Sequence, residues 1–322
     1  MEDETADRPE PTTTRLRLDI AYDGTKFTGW STQPGIRTVQ GEVEAALAVI
    51  LRRHAPIPRL VVAGRTDAGV HATGQVAHLD LAPHQLRSLD RPRRGKMAGR
   101  VFDGPASLGR RINGIAGLNS DVWVARSSIA VPGFDARFSA LSRSYEYRIA
   151  DTAAPRNPLE RHRTLWYPAL LDVDTMNAAA QSLIGLHDWA AFCKPREGAT
   201  TVRTLQEFGW QRMADGVLVA TVEADAFCHS MVRALVGACV AVGEGKLEVA
   251  RLADIRSEIV RSNDFKVMPA KGLTLVAVAY PPDDEVGARA ELTRRRRPGI
   301  ETARAIEAAY GGRGLTGQGD ND

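Results

Sequence analysis

Residues 63–76 read AGRTDAGVHATGQV and set one carboxylate, Asp67, among glycines and a threonine. A single acid in a tight loop suits chemistry that needs one ionised, positioned and sheltered oxygen, whether for nucleophilic attack or for proton removal. Gly64, Gly69 and Gly74 are expected to let the backbone double back and a ligand approach closely. Arg65 and Asp67 lie two residues apart, so they face the same way if the chain between them is extended. An ordinary turn with Asp67 as its cap has the same composition. The segment by itself supports both readings.

The elements around it are legible from their periodicity. An apolar run at 60–62 precedes the loop and an alternating run at 76–81 follows it, which predicts strand, irregular loop, strand. Residues 15–22 (RLRLDIAY) alternate cleanly, with Leu16, Leu18, Ile20 and Tyr22 on one face of a half-buried strand. Asp23-Gly24-Thr25 signals a turn, after which Phe27 and Trp30 sit in a loop. Residues 38–53 have helical spacing through Val39, Val43, Ala46, Leu47, Ile50 and Leu51, with Thr38 as the N-cap. Residues 83–106, rich in Pro, Gly and Arg, look like an inserted loop. A helix is expected at 106–115 and a strand at 121–127.

The second half repeats the mixture without repeating the sequence. Strands are expected at 144–150, 203–212, 216–224 and 273–280, and helices at 174–186 and 231–242. Two successive mixed halves predict an α+β fold, with helices covering one side of mainly antiparallel sheets. The boundaries read as a disordered acidic N-terminal tail at 1–14, an N-terminal half at 15–129 with a basic insertion at about 86–105, a C-terminal half at 130–282, and a basic, largely disordered tail at 283–322.

Composition narrows the classes. The chain has 322 residues, 43% hydrophobic and 25% charged, ordinary globular values that suit about two domains. Its three cysteines, Cys193, Cys228 and Cys239, form no CxxC pair, which suggests reduced thiols and argues against a structural zinc site. Seven histidines show no HExxH spacing. The N-terminus lacks the apolar core of a secretory signal, and the longest apolar run, about 234–242, is too short to cross a bilayer. A soluble cytoplasmic protein is expected. The net charge is only +3, but residues 86–111 carry eight basic side chains, among them Arg91, Arg93, Arg94 and Lys96, against Asp90 and Asp103. Such a cluster fits a phosphate backbone, as does Arg294-Arg295-Arg296-Arg297. Solvated loops have the same composition.

The loop at 63–76 resembles the signature segment of the TruA family of tRNA pseudouridine synthases, in which the acid of GRTDAGVH is catalytic. The resemblance extends over roughly 15–281. DIAYDGTKFTGW is similar to the family's opening segment, although Ser31 replaces a common Gln. FDARFSALSRSYEYRI (134–149) resembles its second motif, whose aromatic falls on Tyr145. AFCHSMVRALVG (226–237) resembles the third, with its arginine at Arg233, while Ser230 and Ala234 depart from the commoner His and Asn. KGLTLVAVAYP (271–281) resembles the closing strand, with Leu273 beside the active site. Without the family, Tyr145 reads as a packed strand residue, Leu273 as core, and Arg233 as a surface side chain at a helix end that does not favour a cation.

The resemblance implies a pseudouridine synthase fold with a central cleft, and isomerisation of uridine at tRNA positions 38–40 in the anticodon stem-loop. It also implies a homodimer holding tRNA across both subunits. No redox change or group transfer is needed, so no cofactor and no metal are expected. Asp67 is the expected nucleophile; attack on the base, attack on C1′ and removal of the C2′ proton are all open to it. Arg233 is the candidate for keeping it ionised. Tyr145 is expected to stack on the flipped base, and Arg65 to contact phosphate or fill the gap the base leaves. Two other readings are a non-catalytic tRNA-binding or folding protein and a metal-dependent nuclease built on Asp67, Asp80 and Asp135.

Overall fold

The alternation in TRLRLDIAY forms strand β1 (Thr14–Tyr22), which buries Leu16, Leu18, Ile20 and Tyr22 on one face as the spacing predicts. The computed structural model of the chain describes residues 13–90, 103–195, 200–258 and 260–294. The chain divides into two units, Met1–Ser139 with Pro282–Ala290, and Ala140–Pro281 with Glu291–Asp322. Both are α+β with mainly antiparallel strands.

In the first unit β1 is followed by α1 (Val39–Ile50), β2 (Val61–Val62), β3 (His71–Leu81), α2 (Pro83–Leu89), α3 (Gly104–Ala116) and β4 (Val122–Ile129). Thr38 caps α1, its hydroxyl oxygen accepting the Gly41 N–H at 3.2 Å, the role its position predicts. The sheet runs β4-β1-β3 with β2 against β3, all antiparallel. Asn113 of α3 pairs with the backbone of β4 in both directions, donating to the Val124 carbonyl at 2.9 Å and accepting its N–H at 2.8 Å. That fixes helix to strand more tightly than apolar packing alone.

The expected inserted loop begins instead with a helix. Pro83 opens α2 at a position where its missing N–H costs nothing. Gln85 is buried and its amide donates to the carbonyls of His54 and Pro56, both at 2.7 Å. A polar residue that satisfies backbone groups inside the protein carries no apolar signal, so periodicity misses it.

The second unit contains β5 (Ser142–Ala150), β6 (Leu165–Trp166), α4 (Val173–Ser182), β7 (Gly185–Asp188), β8 (Val202–Arg212), β9 (Leu218–Ala224), α5 (Met231–Gly243), α6 (Val249–Ser257) and β10 (Leu273–Ala279). The order is β10-β5-β9-β8-β7, antiparallel throughout, with β6 parallel to β5. The helix expected at 174–186 stops at Ser182, because Gly185 at φ +123° turns the chain into β7. Every residue of α5 except Arg233 is buried, as expected of a helix that is apolar all round.

The region from 283 onward, read as tail, contains a seventh helix, α7 (Val286–Arg294), with Val286 and Ala290 buried. The Ser139 hydroxyl donates to the Val286 carbonyl at 2.9 Å, and Gly133 at φ +78° lies against Gly287. Residues 1–12, 91–102 and 295–322 lie outside the described residues. So do Arg91, Arg93, Arg94, Lys96, most of the arginine run and most of the expected N-terminal tail. Among the described residues no helix is long and apolar enough to cross a membrane.

One ion pair anchors the second unit. Asp151, its side chain wholly buried, takes two bonds from Arg212 at 2.9 and 2.8 Å. Burial alone would raise its pKa, but the Arg212 bonds and the N–H groups of Leu171 and Ala153 outweigh it and hold the carboxyl below its ordinary value. The stability this contributes is complete above the ordinary carboxylate range near pH ~4 and is lost as pH falls through the lowered folded value. Arg212→Met strands the carboxylate and is expected to cost about 3–5 kcal/mol at neutral pH. Its folded pKa then lies above the unfolded one, so urea midpoints of the variant are expected to rise, not fall, as pH is lowered toward 5.

Candidate active site

The loop between β2 and β3 is held residue by residue. Gly69 alone of the three expected turn glycines takes a positive φ, +78°. Gly74 lies within β3, which begins at His71, five residues before the alternation that predicted it. The Val70 N–H bonds to the Asp67 carbonyl at 3.2 Å and the Gly69 N–H to the Phe27 carbonyl at 3.1 Å. The Thr66 carbonyl accepts the Trp30 N–H at 3.1 Å. Arg65 is exposed, Thr66 buried and Asp67 half-buried, the alternation expected of an extended stretch.

The opening segment frames this loop. A Cβ on Gly24 would sit 2.0 Å from the Val70 carbonyl oxygen. Gly29, at φ +88°, leaves room for a Cβ only 2.9 Å from the Thr66 carbonyl oxygen and 3.4 Å from the Asp67 carbonyl carbon. Phe27 and Trp30, read as loop aromatics, are buried. The Arg37 guanidinium covers the Phe27 ring at 4.2 Å while bonding Asp121 at 2.7 Å and Glu42 at 3.1 Å.

Beneath the loop lies a polar group that periodicity did not single out. Tyr22 Oη and Thr66 Oγ1 share a hydrogen bond of 2.8 Å. The Gln75 amide donates to Tyr22 Oη at 3.2 Å and to the Gly64 carbonyl at 2.9 Å. Its oxygen accepts the Val76 N–H at 3.1 Å. Burial pushes the Tyr22 phenol up to about 12, so it stays protonated at any working pH. A glutamine inside the signature segment, on a strand buried there, was the available signal.

Tyr145, Arg233 and Leu273 belong to the second unit. Tyr145 is buried on β5, opposite Val222 of β9 and Leu275 of β10, and meets the Phe227 ring edge-on at 5.2 Å. Tyr147 follows on the same face, opposite Leu273; its hydroxyl donates to the Pro269 carbonyl at 2.7 Å. Burial raises the Tyr147 phenol and the nearby Arg233 charge opposes that rise. The Arg233 Nε donates to the Met268 carbonyl at 2.6 Å, and the Met268 N–H returns a bond to the Arg233 carbonyl at 3.0 Å. Arg233, Tyr147 and Leu273 are thus neighbours, with Tyr145 one alternation away. Gly272 is required here, since a Cβ would lie 2.7 Å from the Tyr147 ring.

Three expectations need correction or relocation. Cys193 and Cys228, expected as reduced thiols, are joined in a disulfide, and only Cys239 is free among the three. Thirty-five residues separate the pair, and only the folding of β8 and β9 brings them together. Of the acids in the nuclease reading, Asp80 is bound by Arg15 through both oxygens at 2.7 Å. Asp135 is buried and accepts the N–H groups of Arg137 and Phe138 at 2.9 Å. Both serve the local fold, and among the described residues no group of three or more His, Cys, Asp or Glu is placed to hold a metal.

A family model described as tRNA pseudouridine synthase matches residues 179–281. A protein of Leifsonia xyli subsp. xyli named tRNA pseudouridine synthase A is 60% identical over 284 residues, covering 88% of this chain and 98% of that one. One of the same name from Frankia casuarinae is 55% identical over 283 residues, with 88% and 95% covered. Another from Streptomyces griseus subsp. griseus is 47% identical over 298 residues, with 91% and 97% covered.

Proposed function

The chain belongs to the tRNA pseudouridine synthase A family, and from that premise we propose how and where it acts. It is an isomerase that converts uridine to pseudouridine in tRNA. Our reading assigns the reaction to uridines 38–40 of the anticodon stem-loop, with Asp67 as the catalytic carboxylate. The observation that supports Asp67 in this role is the held backbone of residues 66–70, which carries a half-buried carboxylate. Such preorganisation costs nothing at the moment of reaction.

The C1′–N1 bond breaks, the freed uracil turns, and C1′ bonds to C5. N1 gains a proton and C5 loses one, so the product is an isomer of the substrate. Asp67 assists by attacking C1′ or the base, or by taking the C2′ proton. The target base leaves the stack at a cost of a few kcal/mol, and Tyr145 offsets part of it by stacking, on the order of 1–3 kcal/mol. Arg233 supplies the cation that keeps Asp67 charged, and its two-way link to Met268 limits how far it can swing. Leu273 packs against the base, and Arg65, exposed beside Asp67, meets phosphate or the vacated stack. The enzyme works as a cytoplasmic homodimer, and the chemistry calls for no metal.

The test is pseudouridine mapping on an unmodified tRNA transcript in the presence of chelator. Product confined to positions 38–40 supports the assignment, and product elsewhere in the tRNA overturns the site. Tight binding with no product favours the tRNA-folding reading.

Arg91, Arg93, Arg94 and Lys96 are proposed to bind the RNA backbone. Neutralising Arg91, Arg93 and Arg94 together is expected to reduce the slope of log K against log salt by about 2–3. Filter binding between 50 and 200 mM salt measures it, and an unchanged slope assigns these residues to a solvated loop.

A further inference from the structure

We infer that the buried Tyr22 hydroxyl is a positioning group for catalysis, acting through Thr66 to aim Asp67. The inference rests on the assignment of Asp67 above. Thr66 is the residue immediately before the catalytic acid, and it is held at both ends: its carbonyl by the Trp30 N–H at 3.1 Å and its hydroxyl by Tyr22 at 2.8 Å. With Thr66 drawn inward, an extended chain turns the side chains of its neighbours Arg65 and Asp67 to the other side, in keeping with an exposed Arg65 and a half-buried Asp67. Gln75 ties the same hydroxyl to the Gly64 carbonyl, so residues 64 and 66 are fixed from one point in the core.

A tyrosine whose only task was to fill space would not need this hydroxyl. The Tyr22 ring already packs near Trp30, with centroids 6.1 Å apart, and phenylalanine would fill the same volume. A polar group placed here introduces a desolvation cost that only its bonds offset. Those bonds reach the two loop residues that flank Arg65, and with it the approach to Asp67. Without the Tyr22 bond the Thr66 side chain no longer pins this stretch to the core, leaving the backbone that leads into Asp67 freer to shift, and misplacement of about 1 Å costs about 100-fold in rate.

The experiment is a double-mutant cycle read in single-turnover rate constants and tRNA dissociation constants. Tyr22→Phe and Thr66→Val each remove one end of the same bond. Each is expected to lower the rate about 10- to 100-fold with tRNA affinity within about 2-fold, and the double variant is expected to be no slower than the worse single. Ile112→Val, a core change on α3 in the same unit, controls for lost stability and is expected to keep the wild-type rate. Thr66→Val decides alone if Tyr22→Phe fails to fold. Wild-type rates in both single variants overturn the inference, as does a rate loss that Ile112→Val reproduces. Asp67→Ala runs beside them: if it turns over normally, the assignment of Asp67 falls with this inference. If it is inactive while Tyr22→Phe is fast, only the positioning role falls.

Discussion

Asp67→Asn is expected to lower the single-turnover rate by about 10⁴-fold or more while tRNA affinity stays the same or tightens slightly. Asparagine keeps the shape of the side chain and leaves the Val70-to-Asp67 backbone bond in place, so the loop survives and only the charge is lost. Each of the three routes open to the acid, two nucleophilic and one basic, needs an ionised oxygen, and an amide supplies none. Affinity is insensitive because a carboxylate repels phosphate rather than binding it. Release of tritium from tRNA labelled at uracil C5 measures the step directly, since the C5–H bond is lost when C5 joins C1′. A rate within tenfold of wild type would remove Asp67 from the chemistry and leave it as a turn cap.

Gly29→Ala is expected to come second. At φ +88° an L-residue is disfavoured by about 1–2 kcal/mol, and the new methyl would lie 2.9 Å from the Thr66 carbonyl oxygen. The backbone that must give way is the one that carries Asp67, so a rate loss of about 100-fold is expected. Gly35→Ala separates the two effects. Gly35 has φ +70° but nothing within 4 Å of a Cβ, so it carries a similar backbone penalty and is expected to keep the wild-type rate. Equal rates in the two variants would mean that contact with the loop does not matter.

The fold was legible wherever burial follows a period. β1, α1 and α5 show it because each sets apolar residues on a regular face or all round. Elements closed by polar side chains were not: α2 depends on Gln85, and α7 buries Arg289 beside Val286 and Ala290. Asp67 stood out because a motif marks it. Tyr22 was legible as an inward strand residue, but its tie to Thr66 was not, since it joins positions 44 apart. The Cys193–Cys228 bond escaped for the same reason. Spacing along the chain carries no sign of a pair that only tertiary structure brings together.

The unit that holds the Asp67 loop is made of two stretches, Met1–Ser139 and Pro282–Ala290, with all of Ala140–Pro281 between them. The bond from Ser139 to Val286 and the close approach of Gly133 to Gly287 join the ends. On the ribosome, synthesis at about 5–20 residues per second places the second stretch on the order of ten seconds after the first. During that interval the first stretch waits unfinished while the other unit emerges. Assembly of the first unit therefore cannot finish domain by domain from the N-terminus, and its closing step waits until Pro282–Ala290 has emerged.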